Sequence, residues 1–233
     1  LDTVYPSGEK ASKILGQLLD RIKATPLITV ALNTTVTGWD GFVGNFSATL
    51  SDGSVLKAGA VILSTGYDHV IPADGEYEYG KDARVTTLPK LIEHMKSHAG
   101  KPLVWNGKPI KSLAFIHCVG SRQKEGVHAP QADGKVNDYC SRVCCTAALH
   151  TINAIKDSQP ELNIYDCYRD IRTYGRGHEE IYTKASKNGV VFLRFTEDTQ
   201  PEIKPASVVV KDVLTLNQEV EVPADLVVLV TGV

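Results

Sequence analysis

The chain has 233 residues, 42% hydrophobic and 22% charged, with a formal net charge of −2 and five cysteines. That is the composition of one large or two small folded domains, and its near-neutral charge offers no footprint for nucleic acid or an anionic membrane surface. No apolar run approaches the ~18 residues of a membrane-spanning helix, no signal peptide is visible, and the short basic patches at 108–111 and 184–187 read as solvated faces.

In chain order, residues 8–25 carry Ile14, Leu15, Leu18, Leu19 and Ile22 at the spacing of a helix with one apolar face, closed by Pro26. Short strands are expected at 27–32, 46–50 and 55–56, with Asp52 and Gly53 as a hairpin signal. Residues 60–66 form a continuous apolar run ending in glycine, as a buried parallel strand would. Residues 112–120 read as a strand entering a turn, 143–155 as a helix and 162–168 as the next strand. A helix at 176–188, a strand at 190–195, a meander over 208–222 and a closing strand at 224–232 then repeat the earlier order. The recurrence of helix, strand, meander and closing strand points to a common architecture in two copies.

That order is the second half of a flavoprotein domain, and the expected fold class is α/β: a fragment of a two-dinucleotide-binding-fold flavoprotein with antiparallel β-meanders. Three parts are expected: 1–90 as the C-terminal half of an FAD-binding domain, 91–205 as an NAD(P)-domain-like unit, and 206–233 as a meander and closing strand. The chain starts at Leu1 rather than Met and ends on a strand-like run, so it reads as a piece cut at both ends. No G-x-G-x-x-G occurs in it, and the glycine-rich loop for the FAD pyrophosphate is expected before Leu1.

In a dinucleotide fold the first strand–helix turn is rich in glycine, because backbone amides there approach a pyrophosphate. Here that turn holds Cys118, Val119, Gly120, Ser121 and Arg122, followed by a polar insert at 123–138 and then Cys140, Cys144 and Cys145. Cys140 and Cys144 are four apart and share a face if the helix has begun. Four soft thiolates from a loop and a helix start suit a [4Fe–4S] cluster. They also suit tetrahedral zinc, although C-x₃-C-C plus a distant cysteine is not the usual pair of knuckles; a redox dithiol or simple buried thiols also stand as readings. Cys167, inside an apolar strand, reads as a core residue, and His117 either tunes a cluster or is structural. Adjacent cysteines and an odd count argue against a disulfide framework and for a reducing, cytoplasmic setting.

The segments Phe115 to Arg122, Tyr139 to Cys145, and Asp170, Ile171, Arg172 with Gly175 and Gly177 closely resemble the A-subunit family of heterodisulfide reductase, which includes related flavin subunits of the quinone-interacting oxidoreductase complex of sulfate reducers. The resemblance implies a thioredoxin/glutathione reductase-like FAD domain, a [4Fe–4S] cluster on Cys118, Cys140, Cys144 and Cys145 near the flavin, and partner redox subunits or ferredoxin-type domains. It implies that Thr65, Gly66 and Gly120 lie near cofactor, with FAD weak or absent on these residues alone. Two departures stand out. The 123–138 insert is longer than is common, and His150 occupies a position near the flavin where many relatives carry lysine. The implied activity is electron relay between partner proteins; an NAD(P)H-dependent disulfide reductase and a zinc-stabilised scaffold are the alternatives.

Overall fold

The computed structural model describes residues 3–4 and 9–233, which divide into two compact units, Ser12–Tyr67 and Leu1–Ala11 with Asp68–Val233. Residue 8, the expected start of the first helix, lies outside the described residues.

The smaller unit holds helix α1 (Ala11–Lys23) and a three-stranded antiparallel meander of β1 (Val36–Phe42), β2 (Asn45–Leu50) and β3 (Val55–Ala58). Hairpin β2–β3 turns at Asp52, whose carboxylate accepts from the Ser54 backbone N–H at 2.9 Å and its hydroxyl at 2.6 Å, the local bonding that makes Asp-Gly a turn signal. The apolar face of α1 forms as the spacing predicts, but Leu15, Leu18 and Leu19 on it are exposed.

Two sequence expectations fail in this unit. Residues 27–32 and 60–66 form no strand, and Ile62 is 89% exposed. A strand apolar on both faces needs both faces covered and a neighbouring strand to pair with, and among the described residues nothing pairs with either segment. The strand at 36–42, with Gly38 and Gly41 inside it, was not expected.

The larger unit is built on a five-stranded parallel sheet. Its elements are β4 (Val85–Thr87), α2 (Leu88–Ser97), β5 (Ser112–Val119), α3 (Cys144–Ser158), β6 (Asn163–Tyr168), α4 (Glu179–Lys187), β7 (Val191–Arg194), the meander β8 (Glu202–Lys204), β9 (Ser207–Asp212) and β10 (Gln218–Pro223), and β11 (Leu226–Thr231). The strand order is β7-β6-β5-β11-β4, with every neighbouring pair parallel. Strands β5, β6 and β7 are joined through α3 and α4, and the meander returns the chain to β11 on the other side of β5. This mixed α/β arrangement is of the general dinucleotide-binding kind. The sheet includes β4, whose residues fall within the expected 1–90 part.

All eight residues of β5 are buried, so both faces of the central strand carry core. Leu113 and Phe115 point to the face where Leu149, Ile152 and Ile155 of α3 and Ile181 of α4 pack. Ala114, Ile116 and Val119 point to the other, against Val208, Val210 and Val222 of the meander. Asp225 ties the start of β11 to the start of β5, accepting from the Lys111 and Ser112 backbone N–H groups at 2.9 and 3.0 Å. No helix among the described residues is long and apolar enough to cross a membrane.

Candidate functional site

Where β5 ends, the alternation of faces breaks. Ile116 and Val119, three apart, lie on one face, and the pairing with β11 slips between Leu229 and Thr231. Such a bulge re-aims a side chain. Within it sits Cys118, in the left-handed region at φ 64°, a conformation costly for a residue other than glycine. The turn continues through Gly120 at φ 67°, where a Cβ would stand 2.3 Å from Cγ1 of Val70. Gly120, expected beside a cofactor, therefore already has a packing reason to be glycine.

The 123–138 insert is anchored at its base. The Arg122 N–H donates to the Tyr139 carbonyl at 2.8 Å and the Gln123 N–H to the Asn137 carbonyl at 2.7 Å. Buried Gln123 also accepts from the Gln131 side chain and the Asn137 N–H, both at 2.9 Å. Ser121 completes the closure, donating to the Tyr139 carbonyl at 3.0 Å and accepting from the Ser141 N–H at 3.1 Å. An insert with little apolar content thus returns Cys140 to the turn that holds Cys118. Helix α3 then starts on Cys144, with Cys145 second, so both thiols sit in its first turn, where the helix dipole favours negative charge.

Three of the thiols, Cys118, Cys144 and Cys145, are shifted by their surroundings. Burial, then Cys145, pushes Cys118 up to about 11, against Arg122 and Arg169. The hydrogen bond between Cys144 and Cys145 lowers the former and, with burial, pushes the latter up to about 12. Cys144 also senses Cys118 and Cys140. Even so, among the described residues no three His, Cys, Asp or Glu side chains are drawn together as a metal site. The donor set suits a cluster chemically: four thiols, a helix start, and Arg122 and Arg169 near Cys118.

Beneath α3 lies a feature that the sequence reading missed. His117 Nε2 is 2.7 Å from Asp166 Oδ1, and both side chains are fully buried. Burial opposes the charge of His117, but Asp166, aided by Cys145, holds its imidazole up at about 10. The signal was a lone carboxylate in the apolar run of β6, which needs a buried partner.

The remaining expected site residues lie on separate elements. Thr65 and Gly66 lie in an exposed irregular segment, Gly66 at φ 79°. His150 is half-buried on α3, its Nε2 3.0 Å from the Thr3 hydroxyl, with burial lowering its pKa. Cys167 is buried in the meander-side core with Ile116, Leu193 and Phe195.

No family model matches the chain. It is 40% identical over 192 residues to the first iron–sulfur A subunit of CoB–CoM heterodisulfide reductase from Methanopyrus kandleri, covering 76% of this chain and 27% of that protein. It is 40% identical over 193 residues to the corresponding iron–sulfur A subunit from Methanocaldococcus jannaschii, with the same shares. The chain thus spans about a quarter of the length of the curated relatives it matches. Among solved structures, L-lysine 6-monooxygenase from Pseudomonas syringae aligns with 93% of this chain and 61% of its own, at 12% identity and a TM-score of 0.40, which is too distant to bear on function.

Proposed function

The chain is homologous to the A subunits of CoB–CoM heterodisulfide reductase, and on that premise we propose that it is part of a flavin and iron–sulfur oxidoreductase subunit that relays electrons between partner proteins. What supports the reading is the placement of the four cysteines on neighbouring parts of the chain: Cys118 in the bulge that ends β5, Cys140 just after the insert bonded back to that turn, and Cys144 and Cys145 in the first turn of α3. In this reading the four sulfurs hold a [4Fe–4S] cluster, which supplies one-electron transfer when bound. The residues of this chain supply the rest: the α3 amides and Arg122 and Arg169 offset thiolate charge, and the 123–138 insert shields the site from water.

The finer fold assignment belongs to the same proposal. The larger unit corresponds to the nicotinamide-domain half of a thioredoxin/glutathione reductase-like flavoprotein, and Ser12–Tyr67 to the end of its FAD-binding half. Thr65 and Gly66 then approach FAD in the longer protein, with His150 on the flavin side of α3, and these residues alone bind FAD weakly. Partners are other subunits of a cytoplasmic redox complex, including ferredoxin-type domains.

This reading excludes a nicotinamide dinucleotide at the β5–α3 turn. The turn holds Cys118, Val119 and Arg122 beside a single glycine, Gly120, whereas a pyrophosphate needs small residues there. Anaerobic protein loaded with iron and sulfide, mixed with NADH or NADPH while the visible spectrum is followed, should not bleach. Rapid bleaching without a partner protein would replace the relay reading with that of a pyridine-nucleotide reductase.

A further inference from the structure

The larger unit carries a groove between α2, the 98–103 loop and one face of α3. It encloses about 350 Å³, within the range of small-molecule sites, and none of the five cysteines lines it. Ile92 and Met95 of α2, Leu103 of the loop, and Ala154 and Ile155 of α3 give it apolar walls. The two hydroxyls on that face of α3 leave the walls apolar, because both turn to the helix's own carbonyls. Thr151 donates to Ala147 at 2.9 Å, and Ser158 to Ala154 and Ile155 at 3.1 Å. Gln159 Oε1 accepts from the Leu103 N–H at 2.8 Å, which ties the loop to the end of α3. Water in such a groove finds few partners, and an apolar occupant displaces it favourably.

The charge around the groove has one sign. Lys96 and Lys101 line it, and among the described residues no aspartate or glutamate does. Both lysines are exposed, and neither has an acidic partner among the described residues. A lysine beside apolar surface lays its stem along the wall and keeps its ammonium in water, which sets two unpaired positive charges at the mouth of an apolar slot. The volume is that of about a dozen waters, and this limits the occupant to a chain of medium length.

We infer that the α2–α3 groove binds a small amphipathic anion, an aliphatic carboxylate of medium length, with its chain between the helices and its carboxylate at Lys96 and Lys101. The inference stands apart from the four-cysteine reading. An uncharged chain of the same length buries the same surface and gains nothing from the lysines, whereas a cationic one is repelled by them. The carboxylate stays at the mouth, in water, so its attraction to the lysines is not cancelled by desolvation.

The test titrates the full chain with octanoate, octanol and octylammonium by calorimetry, as wild type, as Lys96→Glu combined with Lys101→Glu, and as Ala154→Trp. Ala154 is exposed and lines the groove, so an indole there fills the slot without entering the core. Octanoate should bind wild type at a single site, about tenfold more tightly than octanol, the scale that two exposed charge pairs supply. Octylammonium should bind more weakly than either. Raised salt should weaken octanoate and leave octanol unchanged. The double lysine variant should lose the preference for octanoate while binding octanol as before, and Ala154→Trp should bind neither. Equal binding of octanoate and octanol by wild type, unchanged octanoate affinity in the double variant, or no saturable octanoate binding would each overturn the inference. Undiminished binding by folded Ala154→Trp would place the ligand elsewhere and overturn it too. If Ala154→Trp fails to fold, the double variant, altered at two exposed positions, decides alone.

Discussion

Gly120→Ala is the sharpest structural perturbation of the β5–α3 turn. At φ 67° an alanine costs about 1–2 kcal/mol relative to the right-handed region. Its Cβ would also lie 2.3 Å from Cγ1 and 2.8 Å from Cβ of Val70, so rotating Val70 does not remove the clash. Val70 is held in place, since its N–H donates to the Gly232 carbonyl at 3.0 Å and the Gly232 N–H in turn donates to the Val119 carbonyl at 2.8 Å. Overpacking of this kind costs about 1–3 kcal/mol, and the stiffer unfolded chain returns about 0.4–1 kcal/mol. The net loss is about 1–5 kcal/mol, centred near 3, or roughly 10 °C in Tm for a protein of this size. Urea unfolding of wild type and variant measures it directly. Adding Val70→Ala removes two methyls from the clash and should recover about 1 kcal/mol, a non-additivity expected of residues in contact. An alanine variant within about 0.5 kcal/mol of wild type, or strictly additive costs, would refute the claim that Val70 dictates this glycine.

Replacing any one of Cys118, Cys140, Cys144 or Cys145 with alanine should abolish or sharply reduce iron uptake, whereas Cys167→Ala should retain it and cost about 1 kcal/mol of stability; visible absorbance after anaerobic loading separates the two outcomes. Arg169 is 8% exposed and donates to the Arg122 carbonyl at 2.6 Å and to Glu197 at 2.7 Å. Arg169→Ala should cost about 2–3 kcal/mol through the unpaired carbonyl, and Glu197→Ala, on the exposed side, under about 1 kcal/mol; denaturation midpoints decide. Purified residues 1–233 should carry far less than one FAD per chain, read from the flavin spectrum after gel filtration. Stoichiometric, tightly held FAD would show that the pyrophosphate loop had been sought in the wrong place.

The central sheet was legible because its strands announce themselves. Residues 112–119 are apolar apart from Ser112 and His117, and 144–158 carry helical spacing after a polar insert, so strand, turn and helix emerged with the cysteines along them. The edge strand at 85–87 is too short for periodicity to register, and Pro89 in the following helix reads as a breaker although proline suits a first helical turn. Residues 60–66 show the opposite failure. Their apolar run matches a buried strand, but pairing partners decide whether such a run becomes one, and no local pattern records them. Within the candidate site, residue type and spacing were enough to single out the four cysteines. The bulge at Cys118 and the contact between His117 and Asp166 depend on the register of β5 against β11 and β6, which a single sequence does not state.

Metal and sulfide analysis of anaerobically prepared wild type, beside a variant with Cys118, Cys140, Cys144 and Cys145 all replaced by alanine, tests the central claim most directly. The account predicts about four iron and four acid-labile sulfide per wild-type chain, with a broad absorbance shoulder near ~400 nm, and neither in the variant. Zinc in place of iron in the wild type, or equal iron in both proteins, would contradict it.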